Sequence, residues 1–283
     1  MSSSSPIVWL NGELQSAATA RIAPFDRGFT VGCAVFETLR ASKGQALAVT
    51  RHWRRLVGSC RILGIHPPKR KVFADSLQET LRANHLREAR VRFTITAGDT
   101  VNPSPLHSGP PTILVHAVPA PKYLKAESVL TAPWFRNERS AITGAKCASY
   151  AENMIALAYA HARGAGEIIF RNTRGELCEG ATTNLFVVQD RKVRTPPLES
   201  GCLPGVTRQI VLELCRNHEI PCSEVPLHPE ALSEADEAFL TSSLRRVQPI
   251  ATLDGRRLPK APGPVTRRLA ALYRSLFDGH PDP

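Results

Sequence analysis

Lys146 is one of only eight lysines in a chain of 283 residues that carries 28 arginines, and no other lysine lies between Lys125 and Lys192. It precedes a run dense in alanine, in ITGAKCASYAENMIALAYA (residues 142–160). Arginine stays protonated at any accessible pH, whereas a desolvated lysine can lose its proton and then act as a base or condense with an aldehyde. Thirty-three residues on, Glu179 stands at the end of one strand-like segment, and Asn184 opens the next, NLFVV. GCLPGVTRQI then sets a Pro204-Gly205 turn directly before Val206, Thr207 and Arg208 at the head of a helical pattern. Such a start offers free backbone N–H groups and a positive dipole end to a phosphate. Ser242 and Ser243 in TSSLRRV add two hydroxyls. An amine to hold an aldehyde, a carboxylate to keep a pyridine nitrogen protonated, and an anion cup are the parts that a pyridoxal 5'-phosphate site needs. Each part also has a plainer reading: a solvated lysine near a helix start, a turn carboxylate, an ordinary loop. Spacing alone leaves both open.

The elements that must position these residues follow from periodicity and turn chemistry. IVWLNGELQ reads as a hairpin turning at Asn11-Gly12, and AVFETLRAS with ALAVT as a strand pair around residues 42–45. Trp53, Leu56, Val57, Cys60 and Leu63 recur at helical spacing, and FADSLQETLRANHL is a second amphipathic helix. ARVRFTITAG alternates strictly as a strand, and PTILVHAV reads as a further strand. The proline-bearing, aperiodic PAPKYLKAES is the expected linker. Beyond it come a strand at 128–131, a helix over 148–163, the strands GEIIF, GELCEG and TNLFVV, a helix after LPG, the strands ADEAFLTS and VQPIATLDG, and a last helix PVTRRLAALYRSLF. The expected division is a small N-terminal α+β domain over 1–118, a linker over 119–126 and a larger domain over 127–283.

Composition narrows the function classes. At 42% hydrophobic and 22% charged residues the chain reads as a globular protein. No apolar run approaches the ~18 residues of a bilayer span, and the N-terminus lacks a signal-peptide pattern, so a cytoplasmic protein without a membrane partner is expected. Seven cysteines without a CxxC pair fit reduced thiols, and nine scattered histidines give no metal-binding spacing, so no metal is expected. The net charge of +11 is spread along the chain with no basic tail or interleaved aromatic stripe, which argues against nucleic acid and leaves arginines for small anions.

KCASYAENMIALAYA, EGATTNLFVV, TPPLESGCLPGVTR and TSSLRRVQPI, in this order, resemble the class IV, fold-type IV pyridoxal-phosphate enzymes, and PFDRGFTVGCAVFETLRA followed by RHWRRL matches them too. The family includes branched-chain and D-amino acid aminotransferases and aminodeoxychorismate lyases. The resemblance covers about residues 7–255 and implies a two-domain α+β or α/β fold, D-amino acid aminotransferase-like, in a homodimer. It implies that Lys146 holds the cofactor and shuttles a proton, that Glu179 partners the pyridine nitrogen, and that Tyr150 hydrogen-bonds the phenolic oxygen. Val206, Thr207, Ser243 and Arg55 are implied as phosphate ligands, while Arg51 and Arg54 read as surface residues.

Substrate choice is divided. Branched-chain enzymes carry a tyrosine where this chain has Val31, and the Arg-x-His carboxylate trap of D-amino acid enzymes is absent after TITAG, with His107 left as loop. Glu37 is common to the aminotransferases, Thr38 matches a threonine of the lyases, and Arg92 sits where an arginine near the substrate is often found. Arg92 reads equally as an exposed strand arginine, and Arg245 and Arg246 as carboxylate contacts or solvated charges. The resemblance leaves an aminotransferase acting on a small amino acid by a ping-pong route, a lyase releasing pyruvate and 4-aminobenzoate, or a protein that has lost catalysis, which the intact Lys146 and Glu179 argue against.

Overall fold

Asn11 (φ 51°) and Gly12 (φ 108°) adopt the left-handed backbone that a tight hairpin demands, and they join β1 (Ile7–Leu10) to β2 (Glu13–Ser16). The computed structural model describes residues 5–100 and 109–283. These divide into a first unit, which runs to Lys122 and includes Ala145–Ser149 and His280–Pro283, and a second, Tyr123–Gly144 with Tyr150–Gly279.

After the hairpin the first unit continues with α1 (Arg27–Thr30), β3 (Ala34–Ser42), β4 (Gln45–Ala46), α2 (Val49–Ile62), α3 (Arg70–Ala83), β5 (Ala89–Thr96) and β6 (Ile113–Pro119). Its antiparallel sheet has the order β2-β1-β6-β5-β3-β4. Strand alternation sends Val35, Leu39 and Ala41 of β3 and Val91, Phe93 and Ile95 of β5 to one face. There they pack with Leu56 and Cys60 of α2 and Phe73, Leu77 and Leu81 of α3. The expected strand ALAVT is only two residues long. Ala48 turns left-handed (φ 54°) and Val49 already begins α2.

The second unit contains β7 (Glu127–Arg136), α4 (Ala151–His161), β8 (Glu167–Asn172), β9 (Leu177–Gly180), β10 (Asn184–Gln189), β11 (Lys192–Thr195), α5 (Val206–Asn217) and β12 (Cys222–Glu224). It closes with α6 (Glu230–Ser233), β13 (Glu237–Ser242), β14 (Arg246–Leu253), β15 (Arg256–Arg257) and α7 (Pro264–Leu276). The sheet order is β12-β11-β10-β13-β14-β7-β8-β9, with β15 against β14. Pairing is parallel at β11/β12, β14/β7 and β7/β8 and antiparallel elsewhere. EIIF in β8 and NLFVV in β10 are buried throughout, as strands covered on both faces require.

Two placements differ from the expected division. The helix expected over 148–163 begins at Ala151, and residues 145–149 run beside β3: Phe36 N–H donates to Lys146 O (2.9 Å) and Ala148 N–H to Ala34 O (2.7 Å). Residues 280–283 likewise group with the first unit. Both are pairings between positions far apart in the chain, which local periodicity does not register.

Candidate active site

Five of the residues singled out from the sequence lie in the first unit, where β3 sorts them by parity. Glu37 faces the helices and is 0% exposed. Its carboxylate accepts from Arg55 Nε (2.8 Å) and Nη2 (2.6 Å), and His52 Nδ1 lies 2.6 Å from Oε2. Burial alone would raise the Glu37 pKa, but Arg55, and after it His52, outweigh that and hold it at about 2 against an ordinary 4.5. The stabilisation this gives is complete above about pH 4.5 and is lost as pH falls through about 2. Burial pushes the His52 pKa down, against the pull of Glu37. His52, Arg55 and Ser59 recur along one side of α2, and Ser59 Oγ accepts the Lys146 N–H (2.9 Å). One helix thus braces both the Glu37 cluster and the Lys146 backbone.

Phe36 and Thr38 point to the opposite face, because successive strand residues alternate. The Phe36 ring has the Arg92 guanidinium 3.6 Å from its centroid and Lys146 Nζ at 4.5 Å. Arg92 pairs across the sheet with Thr38 on one side and His116 on the other. Burial, then Arg92 and Arg90, push the His116 pKa down, which favours its neutral form. Glu37 and Thr38, both expected at the substrate, therefore stand on opposite faces. Glu37 is buried against Arg55 and His52, whereas Thr38 shares the face of Lys146 and Arg92. Val31 is exposed, at the end of α1.

The other five lie in the second unit. Glu179 Oε2 accepts the Leu203 N–H (2.8 Å), and Oε1 is 4.0 Å from Arg136 Nε. This ties the end of β9 to the LPG turn. Asn184 Nδ2 reinforces it by donating to Leu203 O (2.9 Å). The turn after Glu179 is clamped at Ala181. Its N–H donates to Glu167 (3.0 Å), while its carbonyl accepts from Tyr150 Oη (2.7 Å) and Asn153 Nδ2 (2.6 Å). Glu167 also accepts the Thr182 hydroxyl (2.5 Å), and burial raises its pKa. Val206 and Thr207 open α5, whose N-cap is Gly205 and carries no side-chain cap. The Thr207 hydroxyl is 3.4 Å from Tyr273 Oη. Ser243 lies in the turn between β13 and β14.

Some readings change on this geometry. Arg245 donates to Glu127 (2.6 Å), Gln248 (2.6 Å) and Gly166 O (2.7 Å), so its charge is spent inside the second unit. Arg54 is exposed, but Arg51 donates through Nε to the main-chain oxygen of Pro283 (2.9 Å). His107 lies outside the described residues. Phe36, His52, Ser59 and Glu167 were missed as parts of the candidate site, and Asn184, read only as opening a strand, joins them through its bond to Leu203. The sequence signal for His52 and Ser59 is their spacing with Arg55 on α2; Glu167 and Asn184 act through contacts with no local pattern.

The donor set suits pyridoxal phosphate. Among the described residues the Val206 and Thr207 amides have no protein acceptor, as an anion cup requires. Gly205 is forced to be small: a Cβ there would collide with Asn184 Oδ1 and come within 3.3 Å of Arg208 Cβ. Burial raises the pKa of the Cys178 thiol and lifts that of Cys202 to about 12. Among the described residues no helix is long and apolar enough to cross a membrane, and no group of three His, Cys, Asp or Glu is placed to hold a metal.

The model of the amino-transferase class IV family matches residues 34–253. The chain belongs to that family of enzymes, with the fold-type IV architecture of its structural neighbours. The branched-chain-amino-acid aminotransferase of Escherichia coli K12 is 30% identical over 290 residues, covering 96% of this chain and 93% of its own. The branched-chain aminotransferase of the thermophilic archaeon Thermoproteus uzoniensis, solved with norvaline, superposes with a TM-score of 0.90 at 30% identity, covering 96% of this chain and 94% of that one. A Legionella pneumophila protein assigned as a 4-amino-4-deoxychorismate lyase gives 0.86 at 25% identity, covering 92% and 96%.

Proposed function

We propose that this protein is a pyridoxal-phosphate-dependent aminotransferase. It moves the amino group of a small amino acid, branched-chain ones among the candidates, to a 2-oxo acid by a ping-pong route, as a cytoplasmic homodimer. The observation that carries this reading is Lys146: held by its own backbone against β3 and α2, with Nζ at the Phe36 ring on the face that carries Thr38 and Arg92.

Bound pyridoxal phosphate supplies an electron sink for the charge left when a substrate Cα loses its proton. Lys146 Nζ would hold the cofactor's aldehyde carbon and, once the substrate's amino group displaces it there, the freed amine would carry the proton from Cα to C4′. Glu179 keeps a proton on the pyridine nitrogen, since a neighbouring carboxylate favours the charged ring. Tyr150 would orient the phenolic oxygen by turning its hydroxyl hydrogen away from Ala181 O. The Val206 and Thr207 amides, the Thr207 and Ser243 hydroxyls and the Arg55 guanidinium bind the phosphate. Arg92 and Thr38 meet the substrate on the Lys146 face, and Glu37 fixes Arg55.

The second reading, a lyase releasing pyruvate and 4-aminobenzoate from aminodeoxychorismate, is favoured by Thr38 lying on that face. One experiment separates the two. Purified protein is mixed with a panel of amino acids, and the cofactor's absorbance is followed. The expected result is conversion to the amine form by a small amino acid and its reversal by a 2-oxo acid. Pyruvate released from aminodeoxychorismate without any acceptor, with no donor converting the cofactor, overturns the aminotransferase reading in favour of the lyase.

A further inference from the structure

The helix that carries His52, Arg55 and Ser59 has no cap of its own. Its N-cap is Ala48, left-handed at φ 54° and without a side-chain hydrogen bond, and alanine is among the weakest residues at this position. Residues 280–283 make up the deficit. Pro281 O accepts the Ala48 N–H (2.7 Å). Asp282 Oδ1 accepts the Thr50 N–H (2.8 Å), and Oδ2 accepts the Thr50 hydroxyl (2.5 Å). Arg70, the first residue of α3, reaches both Thr50 Oγ1 (2.7 Å) and Asp282 Oδ2 (3.4 Å). Arg51 Nε donates to Pro283 O (2.9 Å), and the Asp282 N–H donates to His280 Nδ1 (3.0 Å). A carboxylate from more than two hundred positions along the chain thus does what a local Asp or Ser does in other helices, and it brings negative charge to the positive end of the dipole.

Its consequence runs along α2. Thr50 is two residues before His52 and five before Arg55, so the capped turn is the one from which the Glu37 cluster is built. We propose that Asp282 is a positioning residue for cofactor binding: by capping α2 from residues 280–283 it holds His52 and, through Glu37, the Arg55 guanidinium in register for the phosphate. The proposal rests on the reading of Arg55 as a phosphate ligand.

The test uses full-length protein carrying Asp282→Ala or Asp282→Asn, with Arg55→Lys as reference, since lysine keeps the charge and loses the fork. Loss of a cap corresponds to roughly a tenfold change in an equilibrium. Asp282→Ala is expected to weaken binding of pyridoxal phosphate about tenfold and to speed hydrogen exchange of the residue 49–52 amides. Turnover at saturating cofactor stays within about twofold, because Asp282 touches neither substrate nor cofactor. Asp282→Asn, whose amide oxygen still accepts the Thr50 N–H, restores most of the affinity. If Asp282→Ala loses thermal stability but binds the cofactor within twofold of wild type while Arg55→Lys binds it poorly, the residue is only structural and the proposal is overturned, with the Arg55 reading intact. If Arg55→Lys binds the cofactor as wild type does, the Arg55 reading has failed and the proposal falls with it, whatever the exchange data show.

Discussion

Glu179 has two tasks that one substitution separates. Its Oε2 ties β9 to the LPG turn through Leu203, and in the proposed function its charge would hold a proton on the cofactor's pyridine nitrogen. Glu179→Gln keeps an oxygen for the Leu203 N–H and removes the charge. The variant is therefore expected to retain the cofactor, seen by absorbance, because Lys146 and the α5 cup are untouched. Turnover in single-turnover mixing falls by about two to four powers of ten, a loss of roughly 3–5 kcal/mol of transition-state stabilisation. A rate within about threefold of wild type removes Glu179 from the pyridine role, and loss of the cofactor makes the residue structural.

At the scale of elements, the proposed phosphate cup would depend on how tightly the LPG turn approaches β10. Gly205 has φ −66° and ψ 133°, which alanine adopts freely, so any cost of Gly205→Ala is steric. Its Cβ would land on Asn184 Oδ1, and Asn184 would give up its bond to Leu203 O. Overpacking of this kind costs about 1–3 kcal/mol. Thermal unfolding of Gly205→Ala is expected to show that loss together with weaker cofactor binding. Gly58→Ala in α2, where a Cβ meets nothing within 4 Å, should cost nothing and gain up to about 1 kcal/mol. Equal effects from both variants would mean that the cup does not depend on this approach.

At the scale of the molecule, the proposed homodimer would give some exposed apolar side chains a partner. Phe25, Phe29 (80% exposed) and Val31 of the first unit, and Met154 and Ile155 of the second, are open to solvent. Light scattering is expected to give about 62 kDa, twice the chain's 30.9 kDa; a mass near that of one chain contradicts the dimer. Of the net charge of +11, +9 falls in the first unit and +2 in the second.

What the sequence determined by itself was whatever depends on neighbours in the chain. The Asn11-Gly12 turn, the alternation of ARVRFTIT, the helical spacing from Trp53 to Cys60 and the glycine before Val206 are local, and turn chemistry and periodicity express them directly. The motifs around Lys146, Glu179 and LPGVT were legible because each is a short continuous stretch. Tertiary structure alone decided which charges were already spent. Glu37 and Thr38 are adjacent in sequence and were both expected at the substrate, yet a strand turns them to opposite faces, and only the packing of α2 shows which one is buried with Arg55 and His52. Arg245 reads as available until Glu127 and Gly166 are seen around it. The placement of residues 145–149 beside β3 and the capping of α2 by Asp282 are contacts across many residues of chain. Their energy comes from partners that no local pattern names.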